Sequence, residues 1–369
     1  MQIKLIYIVN FSVSGNSGKN KATREKASAL KSLVGDDNFL FIHGNQNTSF
    51  INKIFNKLTF DFKVFFNLFL KRGDFIIVQR VIFLPLTYML LKLKGVKIVS
   101  EFHADFKEEI PLLNKSNFEK IILNFVAIFY NLNFKLSDGI IFNHPYLKEK
   151  FDPIFRKPSI YSYNGANFEE FIPQDLNGAR EQLNIPNDRT VFLFLGSVSQ
   201  WHGVDLLIDI FNEQSICDKK DMYLYIVGAN DNPYVRSLKL KAKNKNVLFI
   251  TPVDAISAAN YINASNICLL PVKHIRTSPG SPLKLYDYIS CGKAIITQET
   301  LAGYADEVLN YNLGYVTDFT NSKNAALDVL KIMETADLKY FEEHNRDIAV
   351  TTVSWSKRMQ NWLQFIKSL

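Results

Sequence analysis

The sequence predicts an α/β protein of two consecutive Rossmann-like units, each built on a parallel sheet. Short apolar runs alternate with helical patterns along the chain, which is typical of parallel sheets covered by helices. The alternation falls into two series, separated by the turn signal Asn164-Gly165. A chain of 369 residues, 47% hydrophobic and 21% charged, can bury a core in each unit. We therefore expect two α/β units that share one cleft.

The first series opens with an apolar run over residues 3–9 and a polar loop over residues 10–20. The loop contains Gly15, Asn16 and Gly18 but does not have the full G-x-G-x-x-G spacing, so we interpret it as the lining of a cleft. A helical pattern follows, and an apolar helix is predicted around residues 121–134. The further strands predicted in this series are 39–43, 75–78, 96–100, 139–142 and 160–163.

A histidine follows the predicted strand at 96–100, in the run Glu101-Phe102-His103-Ala104-Asp105. Open α/β sheets bind their ligands at the carboxyl ends of their strands. A lone histidine is more often structural than functional, but this position favours a function. We therefore predict that His103 belongs to the site.

The second series leads to the segment from Ser281 to Thr297, around which this half of the chain is organised. Apolar strands are predicted at 190–195, 223–227, 247–250 and 267–270, and the first two end at Gly196 and Gly228. Ser281 is predicted to cap a helix of about three turns, which Gly292 closes in a left-handed conformation. A buried strand is predicted at 294–297.

The start of this helix is a candidate anion site. Helix N-termini attract anions because their amides are unpaired and the helix dipole is positive there. The candidate donors are the amides of Gly280, Ser281, Leu283 and Lys284, since the two nearby prolines have no N–H. Arg276 in the preceding loop supplies a cation, and Asp287 lies on the same helical face one turn further on. We expect the helix to hold a diphosphate and Asp287 to accept ribose hydroxyls. An ordinary capped helix has the same local signals.

The positive charge of the chain is concentrated in its first half. Residues 1–166 contain 23 Lys and Arg against 13 Asp and Glu, within a total net charge of +7. The Phe-rich segment from Phe50 to Phe83 has lysines and arginines between its aromatic residues. Such a surface can bind anionic lipid headgroups, although an ordinary solvated face has the same composition. No nucleic-acid-binding signature is visible, so nucleic acid is not expected as a partner.

Metal binding and membrane spanning are not expected. No Asp-x-Asp stands at a strand end, and Asp36-Asp37 is interpreted as a turn pair. Cys217, Cys268 and Cys291 do not have metal-ligand spacing, which favours a reducing cytoplasmic compartment. No signal peptide is visible, and no uncharged stretch reaches the roughly 20 residues of a membrane span.

The chain resembles the retaining glycosyltransferases of family 4, which have the GT-B fold. The motifs that carry the resemblance are Gly196 to Gly203 with its terminal Trp-His-Gly, Ile226-Val227-Gly228, Asn266 to Pro271, Ser281 to Gly292, and Asn164-Gly165. The resemblance implies two Rossmann-like domains whose parallel sheets face an interdomain cleft. Residues 1–166, to which the C-terminal helix 355–369 returns, are expected to bind the acceptor, and residues 167–354 the nucleotide-sugar donor.

The resemblance also assigns residues to roles. It implies that the catalytic groups are His103, Arg276, Lys284 and Asp287. It implies that the loop residues Gly15, Asn16 and Gly18 lie on the acceptor side. The positions implied for the donor are Gly196, Ser197, His202, Gly203, Gly228, Val253, Gly280, Ser281, Leu283, Lys284 and Asp287.

Four positions depart from the family pattern. The family usually has two glutamates eight positions apart, and here they fall on Pro279 and Asp287. The common arginine and lysine after the second-domain glycine fall on Ser197 and His202. Arg276 and Lys284 are then the cations available to neutralise the leaving diphosphate, and His202 could contribute only if it were protonated.

The resemblance implies a metal-independent sugar transfer in bacterial surface polysaccharide synthesis, such as capsule, O-antigen or exopolysaccharide. The substrate would be a nucleotide-diphosphate sugar and no cofactor would be needed. The acceptor would be a glycan or a polyprenyl-diphosphate-linked sugar, at the inner face of the plasma membrane. Two alternatives remain open. One is a nucleotide-sugar epimerase of the same fold, and the other is a related binding protein that has lost catalysis.

Overall fold

The computed structural model describes residues 4–15, 17–44, 50–69, 75–80, 85–112, 116–273, 281–299 and 305–369. The chain divides into two compact units. The first comprises residues 1–164 together with the C-terminal residues 355–369, and the second comprises residues 165–354. The second unit therefore begins two residues before the start that the sequence suggested.

The first unit contains a six-stranded, all-parallel sheet. Its strands are β1 (Leu5–Val9), β2 (Phe39–His43), β3 (Ile76–Arg80), β4 (Lys97–Phe102), β5 (Gly139–Phe142) and β6 (Ser159–Tyr161). They are arranged in the order β2-β1-β3-β4-β5-β6. The helices of this unit are α1 (Gly18–Val34), α2 (Phe50–Phe69), α3 (Pro85–Leu93), α4 (Phe106–Glu109), α5 (Asn117–Leu136), α6 (Pro145–Phe155) and, from the end of the chain, the helix Trp355–Ser368.

Side chains on one face of this sheet form two parts of the core. Ile6, Ile77 and Ile98 pack with Val64 and Leu68 of α2 and with α3. Nearer the other edge, an aromatic cluster around Phe102 joins α5, α6 and β5. The C-terminal helix packs against α1, with its last residues beside β5. Burial of this large apolar surface is the main stabilising term for the unit.

The second unit has the same layout. Its strands are β7 (Thr190–Leu195), β8 (Met222–Val227), β9 (Val247–Ile250), β10 (Ile267–Leu270), β11 (Ala294–Gln298) and β12 (Gly314–Thr317), in the parallel order β12-β11-β10-β7-β8-β9. Its helices are α7 (Leu176–Leu183), α8 (Val204–Phe211), α9 (Gln214–Cys217), α10 (Pro233–Lys241), α11 (Ala255–Asn263), α12 (Leu283–Ser290), α13 (Ala305–Asn310), α14 (Ser322–Thr335) and α15 (Leu338–Thr351). The C-terminal helix Trp355–Ser368 is accordingly α16.

The structure confirms the predicted α/β class with two parallel sheets. It also contains β12, which the sequence analysis did not predict because Gly314–Thr317 is short and only partly buried. No helix within the described ranges is both long and apolar enough to span a membrane.

The predicted start of the central helix was wrong. The helix α12 begins at Leu283, its N-cap is Pro282, and no side chain caps it. The hydroxyl of Ser281 instead lies 3.0 Å from that of Tyr286. With eight residues the helix has about two turns, not three. Gly292 does adopt the predicted left-handed conformation, with φ of +71°.

Candidate functional site

In the second unit, two glycines bring the ends of neighbouring strands close together. Gly196 follows β7 and Gly228 follows β8, and the amide of Gly196 donates to the carbonyl of Val227 at 2.9 Å. A Cβ atom on Gly228 would lie 2.3 Å from the carbonyl oxygen of Gly196, a distance that no side chain can accept. The absence of side chains leaves backbone exposed at the carboxyl edge of the sheet, where ligands of α/β proteins bind.

Lys284 reaches this edge from the first turn of α12. Its Nζ lies 4.0 Å from the ring centroid of Phe194, on β7. A Cβ atom on Gly196 would be 3.3 Å from the same Nζ, so the ammonium rests against the glycine backbone. Burial lowers the pKa of Lys284 to about 7, against the opposing effect of the Asp287 charge. The side chain is therefore only partly charged at neutral pH and would gain full charge beside an anion.

The N-terminus of α12 is held against β7. The amide of Leu195 donates to the hydroxyl of Tyr288 at 2.8 Å, which fixes the helix beside the end of the strand. The amides of Leu283 and Lys284 belong to the first turn, where no intrahelical acceptor is available. Asp287 is one turn further along, half-buried, and close enough to Lys284 to raise its pKa. Lys284 and the first-turn amides therefore lie at the same end of α12, with Asp287 one turn further on, and Ser281 does not cap the helix.

His202 does not supply a positive charge at neutral pH. Its Nδ1 lies 2.7 Å from the hydroxyl of Ser199. Burial lowers the pKa of His202 to about 3, and the nearby Lys284 charge lowers it further, against a hydrogen bond with the backbone of Ser197. In the free protein near pH 7 His202 is therefore neutral, and the condition under which it was expected to help neutralise a diphosphate is not met.

The remaining donor-side positions lie on the loops of the same edge. Ser197 is exposed, directly after Gly196. Gly203 precedes α8, and a Cβ there would be 3.0 Å from the amide of Val272, just after β10. Val253 is half-buried in the loop after β9, next to the capping Asp254 of α11. Arg276, Pro279 and Gly280 lie outside the described residues.

In the first unit, His103 follows β4 and is part of a buried charged cluster. Its Nε2 lies 2.6 Å from Oε2 of Glu101, and the same oxygen accepts a hydrogen bond from Nζ of Lys26 at 2.7 Å. Lys26 and Glu101 are each 3% exposed. A buried ion pair of this kind is stable only while both partners are present.

This cluster keeps His103 neutral and sets its orientation. Burial lowers the pKa of His103 to about 3, together with the charges of Arg80 and Lys26, against the effect of Glu101. The neutral ring donates from Nε2 to Glu101. Its Nδ1 is therefore an acceptor and lies 3.4 Å from the side-chain Nδ2 of Asn143. Burial disfavours a charged Glu101, but Lys26 and His103 together hold its pKa well below the usual range.

The loop between β1 and α1 lies at the same edge of this unit. Arg24 donates to the carbonyls of Val13 at 2.5 Å and Gly15 at 2.9 Å, and so fixes the loop backbone. Gly18 is the first residue of α1. Nζ of Lys19 lies 3.4 Å from the ring centroid of Phe11, and the Arg80 guanidinium is 5.5 Å from it. Asn16 lies outside the described residues.

The sequence analysis missed several residues of these two edges. Lys26 and Arg80 are distant in sequence from His103, and only the charge imbalance of the first half hinted at them. Glu101 is the penultimate residue of β4 and Asn143 directly follows β5, so their positions at the carboxyl ends of neighbouring strands could have indicated them. Tyr288 had no signal, because its role depends on contact with β7. Within the described part of the chain, no group of three or more His, Cys, Asp or Glu side chains is arranged to hold a metal ion.

Comparison with known proteins relates the second unit to sugar transfer. Residues 177–347 match the family model described as "Glycosyl transferases group 1". A lipopolysaccharide 1,2-N-acetylglucosaminetransferase of Salmonella typhimurium is 23% identical, in a match that covers 72% of this chain and 67% of the relative.

Solved structures with the same fold cover nearly the whole chain. Sucrose-phosphate synthase from Thermosynechococcus elongatus superposes with a TM-score of 0.72 at 15% identity, covering 99% of this chain and 98% of that one. HepE from Anabaena in complex with UDP-glucose has a TM-score of 0.71 at 16% identity, with coverage of 99% and 100%. WaaG, a glycosyltransferase involved in lipopolysaccharide biosynthesis, has a TM-score of 0.70 at 15% identity, with coverage of 96% and 98%. The solved structures show that the chain has the GT-B fold, and the family-model match relates residues 177–347 to group 1 glycosyltransferases.

Proposed function

With the group 1 glycosyltransferase match as the premise, we propose that this protein transfers a sugar from a nucleotide-diphosphate sugar to an acceptor hydroxyl. The transfer retains the anomeric configuration, as in family 4, and needs no metal. The observation that carries the proposal is that Lys284, in the first turn of α12, rests against the backbone of Gly196, with the first-turn amides at the same helix end and Asp287 one turn further on. This combination suits a nucleoside diphosphate.

The carboxyl edge of the sheet in the second unit, which we call the donor edge, acts on the leaving group. When the bond between the anomeric carbon and the phosphate oxygen breaks, its electron pair stays on the diphosphate. The α12 amides and Lys284 stabilise that negative charge, and Arg276 is proposed to contribute as well. Lys284 takes up a proton when the diphosphate binds, because the anion raises its lowered pKa. Asp287 accepts hydroxyls of the ribose.

The first unit supplies the acceptor side. We propose that the loop containing Gly15, Asn16 and Gly18 lines the acceptor site and that His103 contacts the donor sugar. Neutral His103 would accept a hydrogen bond from a sugar hydroxyl at Nδ1, in place of the Asn143 side chain 3.4 Å away, since Nε2 donates to Glu101. The acceptor oxygen bonds to the anomeric carbon on the face that the diphosphate leaves, and its proton passes to a phosphate oxygen.

The printed names of the relatives suggest the substrate class. The structure of HepE was solved in complex with UDP-glucose, and the Salmonella relative is named a lipopolysaccharide N-acetylglucosaminetransferase. We propose a glycan or polyprenyl-diphosphate-linked acceptor and a role in bacterial surface polysaccharide synthesis, at the cytoplasmic face of the membrane.

The test is nucleotide binding followed by turnover. Calorimetric titration with UDP, GDP, ADP and CDP should give one diphosphate that binds clearly more tightly than its monophosphate. Incubation of the matching sugar donor with lipid-linked acceptors should then release free diphosphate, and NMR of the product should show the donor's anomeric configuration. An inverted product would contradict retention, and absence of diphosphate binding would contradict the whole proposal.

A nucleotide-binding protein without turnover is the second candidate. The observations that favour it are the neutral His202 and the proline at position 279, where the family has charged groups. Binding of the diphosphate with neither donor hydrolysis nor transfer would support it. Conversion of the nucleotide sugar into its epimer without an acceptor would instead identify an epimerase.

A further inference from the structure

The helix α5 exposes an apolar stripe. Phe118, Ile121, Phe125, Ile128 and Leu132 recur at spacings of three and four residues, which places them on one face of the helix. All five are exposed, from 71% at Phe118 to 38% at Leu132. A surface helix ordinarily presents polar residues on its outer face.

The stripe is not the face by which α5 packs on the sheet. That inner face is formed by Ala127 and Phe134, which are buried, and by Tyr130. The ring of Phe134 lies 4.6 Å from that of Phe102 on β4. The helix therefore has one apolar face in the core and a second one outside, and a contiguous exposed apolar patch marks an interaction surface.

Neighbouring helices extend the patch. The helix α3 packs against both α5 and α2. Met89 and Leu93 are exposed on α3, and Phe62 and Phe66 are exposed on α2. Together with the α5 stripe these residues form what we call the α2–α3–α5 face, which is wider than the seam of a single helix pair.

The charges around this face are mostly positive. Residues 50–136, which span the three helices, contain 13 Lys and Arg against seven Asp and Glu. Two of those seven acids, Asp61 and Glu101, are buried. Lys63 and Lys135 are exposed on α2 and α5. A second copy of this face would bring like charges together, so charge complementarity favours an anionic partner.

We propose that the α2–α3–α5 face is a docking surface for an anionic lipid bilayer. Its aromatic and aliphatic side chains enter the interface between headgroups and acyl chains, and the lysines contact the headgroups. Because α5 follows β4, it begins at the carboxyl edge of the sheet, the edge that carries His103. Docking would bring this edge of the unit to the membrane. The inference extends the proposed function, which a lipid-linked acceptor would serve, but the surface itself needs no transferase activity.

Vesicle flotation without substrate tests the docking surface. The full chain should float with vesicles of phosphatidylglycerol and phosphatidylcholine, and much less with phosphatidylcholine alone. The double variant Ile121→Gln/Ile128→Gln should bind at least about tenfold more weakly, because two inserted side chains become polar. Lys63→Gln/Lys135→Gln should weaken binding and reduce its dependence on salt.

Matched controls come from the second unit. Leu240 and Ile256 are 87% and 77% exposed there, so Leu240→Gln/Ile256→Gln should leave flotation unchanged. Lys219→Gln/Lys220→Gln is the corresponding charge control. Thermal unfolding of each variant checks that it is folded.

The inference is overturned if the wild type does not float, or if the α5 variant floats as the controls do. It is also overturned if sedimentation shows a dimer that Ile121→Gln/Ile128→Gln dissociates while vesicles do not bind, since the occupant would then be a second copy. Nucleotide titration of the same variants should match the wild type, so failure of docking and failure of the proposed function are distinguishable.

Discussion

Lys284 is the residue whose chemistry links the donor edge to a diphosphate. Replacing it by Gln should weaken diphosphate binding by about 10- to 100-fold, since a hydrogen bond to a charged group contributes about 1.5–3 kcal/mol. Calorimetric titration measures the change. Lys331→Gln, on an exposed position of α14, is the matched control and should bind as the wild type does. Equal affinity of the Lys284 variant would remove this side chain from the site.

The lowered pKa of Lys284 predicts a pH dependence of binding. In the free protein the Lys284 ammonium loses its proton as pH rises through about 7. In the complex the bound anion raises the pKa of Lys284, so that its amino group stays protonated. Binding should therefore take up a proton, and affinity should fall above pH 7 by up to about tenfold per pH unit. Titrations in buffers of different ionisation enthalpy count the proton. In Lys284→Gln the fall above pH 7 should disappear; if it persists, another group is responsible.

The pKa of His103 predicts a pH dependence of stability. Its folded value of about 3 is below the usual 6.5, so between these values the unfolded chain binds the proton and the folded chain does not. Stability should therefore fall as pH decreases from about 6.5 to 3, by up to about 1.4 kcal/mol per pH unit from this group. Urea unfolding across this range should show a shallower fall in His103→Gln. An unchanged slope would mean that His103 is not the titrating group.

At the scale of elements, the ends of β7 and β8 set a strict limit on side chains. Gly228→Ala should lower the free energy of unfolding more than Gly196→Ala does. A Cβ atom at position 228 would lie 2.3 Å from a backbone oxygen, whereas a Cβ atom at position 196 would lie 3.3 Å from the end of the Lys284 side chain, which can move. Gly196→Ala should instead displace Lys284 and weaken diphosphate binding. Chemical unfolding and titration of both variants separate the two effects. A Gly228 variant as stable as the wild type would contradict the close approach of the strands.

At the scale of the whole molecule, the last helix stabilises a unit that is otherwise formed by the first part of the chain. Trp362 is buried on α16, and Nζ of Lys26 lies 4.9 Å from its ring. Trp362→Ala should destabilise the first unit by about 3–5 kcal/mol, the usual cost of such a truncation. Diphosphate affinity of the second unit should not change.

Thermal unfolding with and without diphosphate measures this effect, because the ligand should raise only the transition of the second unit. Leu240→Ala, at an exposed position of α10, is the control and should leave both units as stable as in the wild type. Loss of diphosphate binding in Trp362→Ala would show that the units do not respond separately.

The sequence by itself determined the alternation of strands and helices, the glycines after β7 and β8, and the position of α12 before its strand. These follow from local apolar periodicity and turn chemistry, which neighbouring residues decide. The cap of α12 was predicted wrongly because Ser281 contacts Tyr286 instead of the helix backbone.

Only the tertiary structure decided which distant side chains meet and which stay in water. Lys26 and Glu101 are 75 residues apart, and their buried pair orients His103. The neutral state of His202, the lowered pKa of Lys284 and the outward stripe of α5 depend on burial, which no local pattern specifies. Folding brings these groups together through the packing of whole helices and strands. Their protonation states and orientations therefore depend on contacts between residues that are distant in the sequence.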